Sequence, residues 1–161
     1  MSDYSRLQED DADFRKKISE NELMAGEALL RDSKTIAVVG LSNSPWRPSF
    51  GVSEYMQAMG YRIIPVNPGE SMILGEKCYA TLEEIPEKVD IVNVFRRPEF
   101  VPEIVESAIR ISAKGLWLQE EVVHEAAAEQ ARAAGLDVVM GLCILKEHRN
   151  AVRAGRLSRA C

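Results

Sequence analysis

Cysteine is scarce: Cys78, Cys143 and Cys161 are the only three, and no two form a CxxC pair. A secreted disulfide scaffold would need a denser and even set, so reduced thiols in a reducing compartment are the plain expectation. No apolar run approaches the roughly 18 residues of a membrane span. The opening "MSDYSRLQEDDADFRKK" is charged where a signal peptide needs an apolar core. A cytoplasmic protein without a membrane partner is expected. Basic charge is also in short supply, with 20 Lys and Arg against 25 Asp and Glu and a formal net charge of −5. That balance argues against nucleic acid as a partner, and any anionic ligand must be met by a local basic site. Histidine occurs twice, as His124 and His148, with no nucleophile at a suitable spacing. Both are expected to be solvated surface residues. Neither a catalytic set nor a metal site emerges, so no catalysis by this chain alone is expected.

What is present is an ordinary globular composition, 46% hydrophobic over 161 residues. That is enough for one well-buried core and too little for two comfortable domains. Five short, nearly continuous apolar runs stand out: "TIAVVG" (35–40), "YRIIPVN" (61–67), "DIVNVF" (90–95), "KGLWLQ" (114–119) and "LDVVMG" (136–141). Strands buried on both faces have this character. Between them lie helical stretches at 49–59, at 98–111 with Val101, Ile104, Val105 and Ala108 on one stripe, and at the alanine-rich 121–134. Before the first strand, 21–33 spaces Leu23, Met24, Ala28 and Leu29 along a helix face. Residues 69–89 are less regular; "KCYA" suggests a short edge strand, and Thr81 with Glu84 three residues on suggests a capped single turn.

Alternating strands and helices predict an α/β fold, a three-layer doubly wound and mainly parallel sheet of Rossmann-like type. The expected organisation is an N-terminal helical extension over 1–32, the sheet domain over 33–150 and a loosely held basic tail over 151–161. Ligands bind such sheets at the carboxyl ends of the strands. With a strand order such as 3-2-1-4-5, the residues to inspect are those that follow Val39, Val66 and Val94.

After Val39 the chain reads "GLSNSPWRPSFG", with no second glycine until Gly51, so the three-glycine dinucleotide fingerprint is absent. Gly40 still lets backbone approach a ligand, and a helix starting near Ser49 aims free N–H groups at a phosphate. Ser42 and Ser49 offer hydroxyls, and Arg47 offers a fork of donors suited to a diphosphate. Alternatively Ser49 is only a helix cap and Arg47 is solvated. Trp46 either covers a ligand or covers the core edge. The second strand ends at Asn67 and Pro68 rather than at the acid of an NAD site, which leaves room for a phosphorylated ribose, although Asn-Pro is also an ordinary turn pair. After the third strand, Phe95, Arg96 and Arg97 suit an adenine ring or an anion, or else only start a helix with Pro98 in its first turn. Cys143 follows the last strand and is either a thiol near the ligand site or, as expected here, a buried, inert one.

These motifs, "TIAVVGLSNSPWRPSFGV", "YRIIPVNPGE…GEKCYATLEEIP", "DIVNVFRRPEFVPEIVESAI", "KGLWLQ" and "AGLDVVMGLCILKEH", resemble in fixed order the small stand-alone CoA-binding proteins. Those are single-domain relatives of the CoA-binding domain in the succinyl-CoA synthetase α subunit. The resemblance covers residues 33 to 149 or nearly so. It implies a coenzyme A or acyl-CoA ligand with its diphosphate over Gly40, Leu41, Ser42 and the corner Arg47, Pro48 and Ser49. Its adenosine would lie toward Asn67 and Pro68, with Phe95, Arg96 and Arg97 flanking the ligand and Leu118 and Gln119 closing one side. The chain departs from the pattern where relatives commonly carry glycine soon after "WLQ" and this one has Glu120 and Glu121. The synthetase's phosphorylated histidine belongs to a second domain that is absent here, so the resemblance implies binding without ligase chemistry. Two other readings stand beside it: one subunit of a split acyl-CoA synthetase with its protein partner elsewhere, and an NAD(P)-sensing regulatory domain.

Overall fold

The structure, a computed structural model, describes residues 20–158. Of the expected N-terminal helical extension over 1–32, residues 1–19 lie outside them, as does Cys161. Helix α1 (Glu20–Asp32) leads into strand β1 (Thr35–Val39), α2 (Pro48–Ala58) and β2 (Arg62–Val66). A two-stranded hairpin, β3 (Met72–Ile73) and β4 (Glu76–Lys77), precedes β5 (Ile91–Val94). Then follow α3 (Val101–Arg110), β6 (Gly115–Leu118), α4 (Glu125–Ala133), β7 (Asp137–Met140) and α5 (Ile144–Arg153). All five main strands lie within the five apolar runs.

The sheet is parallel with order β2-β1-β5-β6-β7. Counting the five sheet strands alone, this is 2-1-3-4-5, which corrects the expected 3-2-1-4-5. The order still reverses beside β1, because β1 lies between β2 and β5 and the crossovers leave it in opposite directions. The crevice therefore opens after Val39 and Val94.

Alternation along β1 feeds two cores. Ala37 faces a cluster with Val92, Leu116, Val101, Val105 and Ala128, where α3 and α4 pack. Ile36 and Val38 face the other, with Leu29, Met56, Trp117 and Ile144 from α1, α2, β6 and α5. Val101, Ile104, Val105 and Ala108 are all buried, as their spacing predicts. Each large side chain so buried contributes about 1.5–3 kcal/mol. In α1 the buried residues are Gly26, Leu29 and Leu30, while Met24 is 66% exposed, so the buried face is rotated from the expected one. Gly26 allows that close packing: a Cβ there would meet Val139 at 3.3 Å and Trp117 at 3.4 Å.

Other expectations are corrected. His148 is 2% exposed, bonded through Nδ1 to the Tyr55 hydroxyl at 3.0 Å and set edge-on to the rings of Tyr55 and Tyr61. Burial lowers its pKa, which keeps the ring neutral. His124 caps α4, its Nδ1 accepting from the Ala127 N–H at 3.1 Å. Residue 151, expected to begin a loose tail, is fully buried within α5, and Leu157 packs on the same core. Of "KCYA", Lys77 ends the hairpin strand Glu76–Lys77 and Tyr79 makes an isolated bridge to Val66, so the segment is not one edge strand. Thr81 makes no side-chain cap, though Glu84 reaches back to the Ala80 N–H at 3.2 Å.

Candidate functional site

Gly40 turns the chain out of β1 with φ +86°, the left-handed region that glycine adopts without a steric cost. A Cβ there would run into the Phe95 carbonyl at the end of β5. The two strand ends thus approach as closely as backbone can. Beyond Gly40 the loop is held by its own serines: the Ser49 hydroxyl accepts from the Ser42 N–H at 3.0 Å, and the Ser42 hydroxyl accepts from the Ser44 N–H at 3.1 Å. Both hydroxyls keep a hydrogen to donate outward.

The N-cap of α2 is Arg47, in extended backbone and without a side-chain cap, and Pro48 occupies the first turn. Free N–H groups at this end carry the positive pole of the helix. The Arg47 side chain is exposed and has no ion-pair partner among the described residues. Arg96 stacks its guanidinium 4.1 Å over the Phe100 ring, and Arg97 lies 3.8 Å from Glu99. Trp46 is 84% exposed, so it does not cover the core edge.

Two cavities open on either side of this ridge and share Gly40, Ser42, Phe95 and Arg96. The first, about 700 Å³, runs over β2 past Asn67 and Pro68 to Thr81 and Ser107. The second, about 740 Å³, runs over β6 past Arg47, Pro48, Ser49 and Arg97 to Gln119, Glu121 and Cys143. The structure therefore brings together eleven of the thirteen expected ligand-site residues. Leu41 and Leu118 do not join them: both side chains are fully buried in the core.

Asn67 is a staple between loops. Its Nδ2 donates to the Leu41 carbonyl at 2.9 Å, and its Oδ1 accepts from the Gly69 N–H at 2.8 Å. Gln119, 4% exposed, donates to Asn93 within the sheet and accepts from the Ile144 N–H at 3.3 Å, tying the crevice floor to α5. Asn93, buried in β5, was not singled out from the sequence, where it reads as one polar letter in an apolar run. Glu70 was also missed. Three residues past Asn67, it lines the first cavity and takes a hydrogen bond from Asn43 at 3.4 Å, so that side is not free of carboxylate. Glu83 and Glu106 lie there too, each paired with Arg110. The Ser107 hydroxyl bonding to Glu83 outweighs burial and, with Arg110, holds that carboxyl below its usual range.

In the second cavity Cys143 is half-buried rather than sealed, and burial pushes its thiol pKa up. Glu120 pairs with Lys146 at 2.7 Å. Glu121 takes φ +68°, in the left-handed region that favours glycine. Among the described residues no three His, Cys, Asp or Glu side chains are grouped to hold a metal, and no helix is long and apolar enough to cross a membrane.

A doubly wound sheet with a glycine exit from β1, a serine-held loop and an arginine-bearing helix start defines a Rossmann-like α/β domain with its crevice at the carboxyl ends of the strands. Residues 34–149 match the family of CoA binding domains, and the chain belongs to that family. It is 46% identical over 120 residues to the uncharacterized protein YneT of Bacillus subtilis, covering 74% of this chain and 89% of that one. A hypothetical protein from Pyrococcus horikoshii OT3, 36% identical, superposes with a TM-score of 0.76 over 83% of this chain and 92% of its own. The ADP-forming acetate–CoA ligase II of Archaeoglobus fulgidus is 32% identical over 84 residues, 51% of this chain but 12% of the ligase. The chain thus spans a small part of the ligases it resembles.

Proposed function

We propose that this chain binds coenzyme A or a short acyl-CoA across the ridge and carries out no chemistry of its own. The observation that carries this reading is the pair of cavities meeting at Gly40 and Ser42, beside an unpaired Arg47 and the start of α2. A diphosphate on the ridge would send adenosine toward Asn67 and Pro68, and pantetheine toward Gln119 and Cys143. Phe95 and Arg96 touch both cavities and would flank the turn of the ligand, with Arg97 on the pantetheine side. Each volume falls within the range of small-molecule pockets.

Glu70 places a carboxylate on the adenosine side, so the ribose phosphate must point away from it or be weakly tolerated. Calorimetric titration with CoA, dephospho-CoA, NADP and NAD under one buffer and salt tests the reading. CoA or dephospho-CoA should bind more tightly than either nicotinamide dinucleotide. Tighter binding of NADP than of both would overturn it.

A second reading is supported by the similarity to acetate–CoA ligases of which this chain matches only a small part. Here the chain would supply the CoA site to catalytic domains on other polypeptides. Co-purification of a tagged chain at native expression levels should then recover a nucleotide-grasp partner; recovery of the chain alone would remove this reading and leave the first intact.

A further inference from the structure

The second cavity is electrically lopsided. Arg47, Arg96 and Arg97 stand on the side of the phosphate loop and β5, while Glu120 and Glu121 stand on the side of β6. Val52, Val122 and Pro48 supply apolar surface, and Cys143 adds a thiol that burial keeps protonated. The two carboxylates are not equivalent. Glu120 is neutralised by Lys146 at 2.7 Å. Glu121 is exposed and has no cation at ion-pair distance among the described residues. It holds φ +68°, a left-handed conformation that is strained for an L-residue. Glycine would avoid that strain, so the carboxylate stands here against the local backbone preference.

We propose that Glu121 is a specificity-determining residue: its uncompensated charge selects neutral acyl thioesters and rejects those whose acyl group ends in a carboxylate. This rests on the reading of the crevice as a CoA site with pantetheine in the second cavity. The physical basis is plain. A ligand laid across the ridge meets cations at its diphosphate and then an anion at the end of its reach. A second carboxylate beside Glu121 is repelled, while a methyl-terminated chain finds Val52 and Val122. The arginines do not cancel this, because Arg47 faces the diphosphate, Arg96 stacks on the Phe100 ring and Arg97 pairs with Glu99.

Butyryl-CoA and succinyl-CoA have acyl chains of equal carbon count and differ in the terminal carboxylate, so they isolate the effect. Isothermal titration of the wild-type chain should give about tenfold tighter binding of butyryl-CoA at low ionic strength, with the ratio shrinking as salt screens the exposed charge. In Glu121→Gln the ratio should fall to near one, with butyryl-CoA affinity retained. Glu121→Gly, which relieves the backbone, should do the same and serves if the glutamine variant folds poorly. Equal affinities in the wild type would overturn the proposal, and so would a ratio that persists in both variants. Failure of every CoA thioester and of CoA itself to bind would instead overturn the CoA reading, and this inference with it.

Discussion

Replacing Asn67 by Asp separates a structural role from direct recognition. The amide of Asn67 makes two bonds in opposite directions, to the Leu41 carbonyl at 2.9 Å and from the Gly69 N–H at 2.8 Å. Aspartate keeps the second and loses the first. The Leu41 carbonyl then faces a carboxylate oxygen instead of a donor, and an unsatisfied buried acceptor costs about 1–3 kcal/mol before the repulsion is added. Leu41 lies between Gly40 and Ser42, so the cost falls on the loop that would hold the diphosphate. CoA and dephospho-CoA should therefore weaken together, by roughly five- to a hundredfold if the loop bears the whole penalty. The urea midpoint should fall as well.

Acid should partly repair the variant. A carboxyl placed against a carbonyl and near Glu70 has a raised pKa when folded, and its protonated form can donate to Leu41 as the amide did. A raised folded pKa means that its native state gains as protons bind. The deficit should thus be largest at neutral pH and shrink as pH falls toward the unfolded value of about 3.9. The assay is paired calorimetry of the two ligands with denaturant melts from neutral to acid pH. A tenfold greater loss for CoA than for dephospho-CoA, with an unchanged urea midpoint, would refute the staple argument and make Asn67 a reader of the ribose phosphate.

Arg47→Ala should raise the CoA dissociation constant about ten- to a hundredfold with no change in the denaturation midpoint, because the side chain has no internal partner to lose; unchanged affinity in calorimetry would return it to the solvated surface. Gly40→Val demands positive φ from a β-branched residue and a collision with the Phe95 carbonyl, so circular dichroism should report a less stable fold and titration no CoA binding; retained affinity would mean that the loop does not meet the ligand. Asp90 binds the N–H groups of Lys34 and Thr35 at 2.8 and 3.2 Å; burial pushes its carboxyl pKa up, but these donors and Lys114 outweigh burial and hold it below the usual range. A depressed folded pKa gives stability present above the unfolded value and lost as pH falls through the folded one, so Asp90→Asn should lower the neutral-pH midpoint and close the gap to wild type below about pH 4. A gap that stays constant into strong acid would show that the charge is not what stabilises.

The strands were readable because burial on both faces removes polar letters from short runs, and the α3 stripe because four apolar residues recur at helical spacing. Helix α5 was not. It buries Ile144, His148 and Ala151, and the middle position of that stripe is a histidine whose polarity is satisfied by Tyr55, a partner 93 residues away. The same long-range bonding makes His148 look like a surface residue in one dimension. The ridge was readable because Gly40, Ser42, Arg47 and Ser49 lie within ten residues of one another. Glu70 and the staple made by Asn67 were not, since a turn after β2 carries them back toward the β1 loop. Strand order depends on which way each crossover leaves the sheet, and no local pattern records that direction.

The ridge shared by the two cavities has a thermodynamic consequence. If the ligand straddles it, each half is held by a largely separate set of side chains, and the diphosphate acts as a tether between two weak binders. Adenosine diphosphate and pantetheine, given as separate molecules, should then occupy the crevice together without excluding one another. The association constant of the intact cofactor should equal the product of theirs multiplied by an effective concentration set by the stiffness of that tether. Tight holding of the whole would need neither half to bind tightly, and cleavage of the ligand at its diphosphate would release both parts.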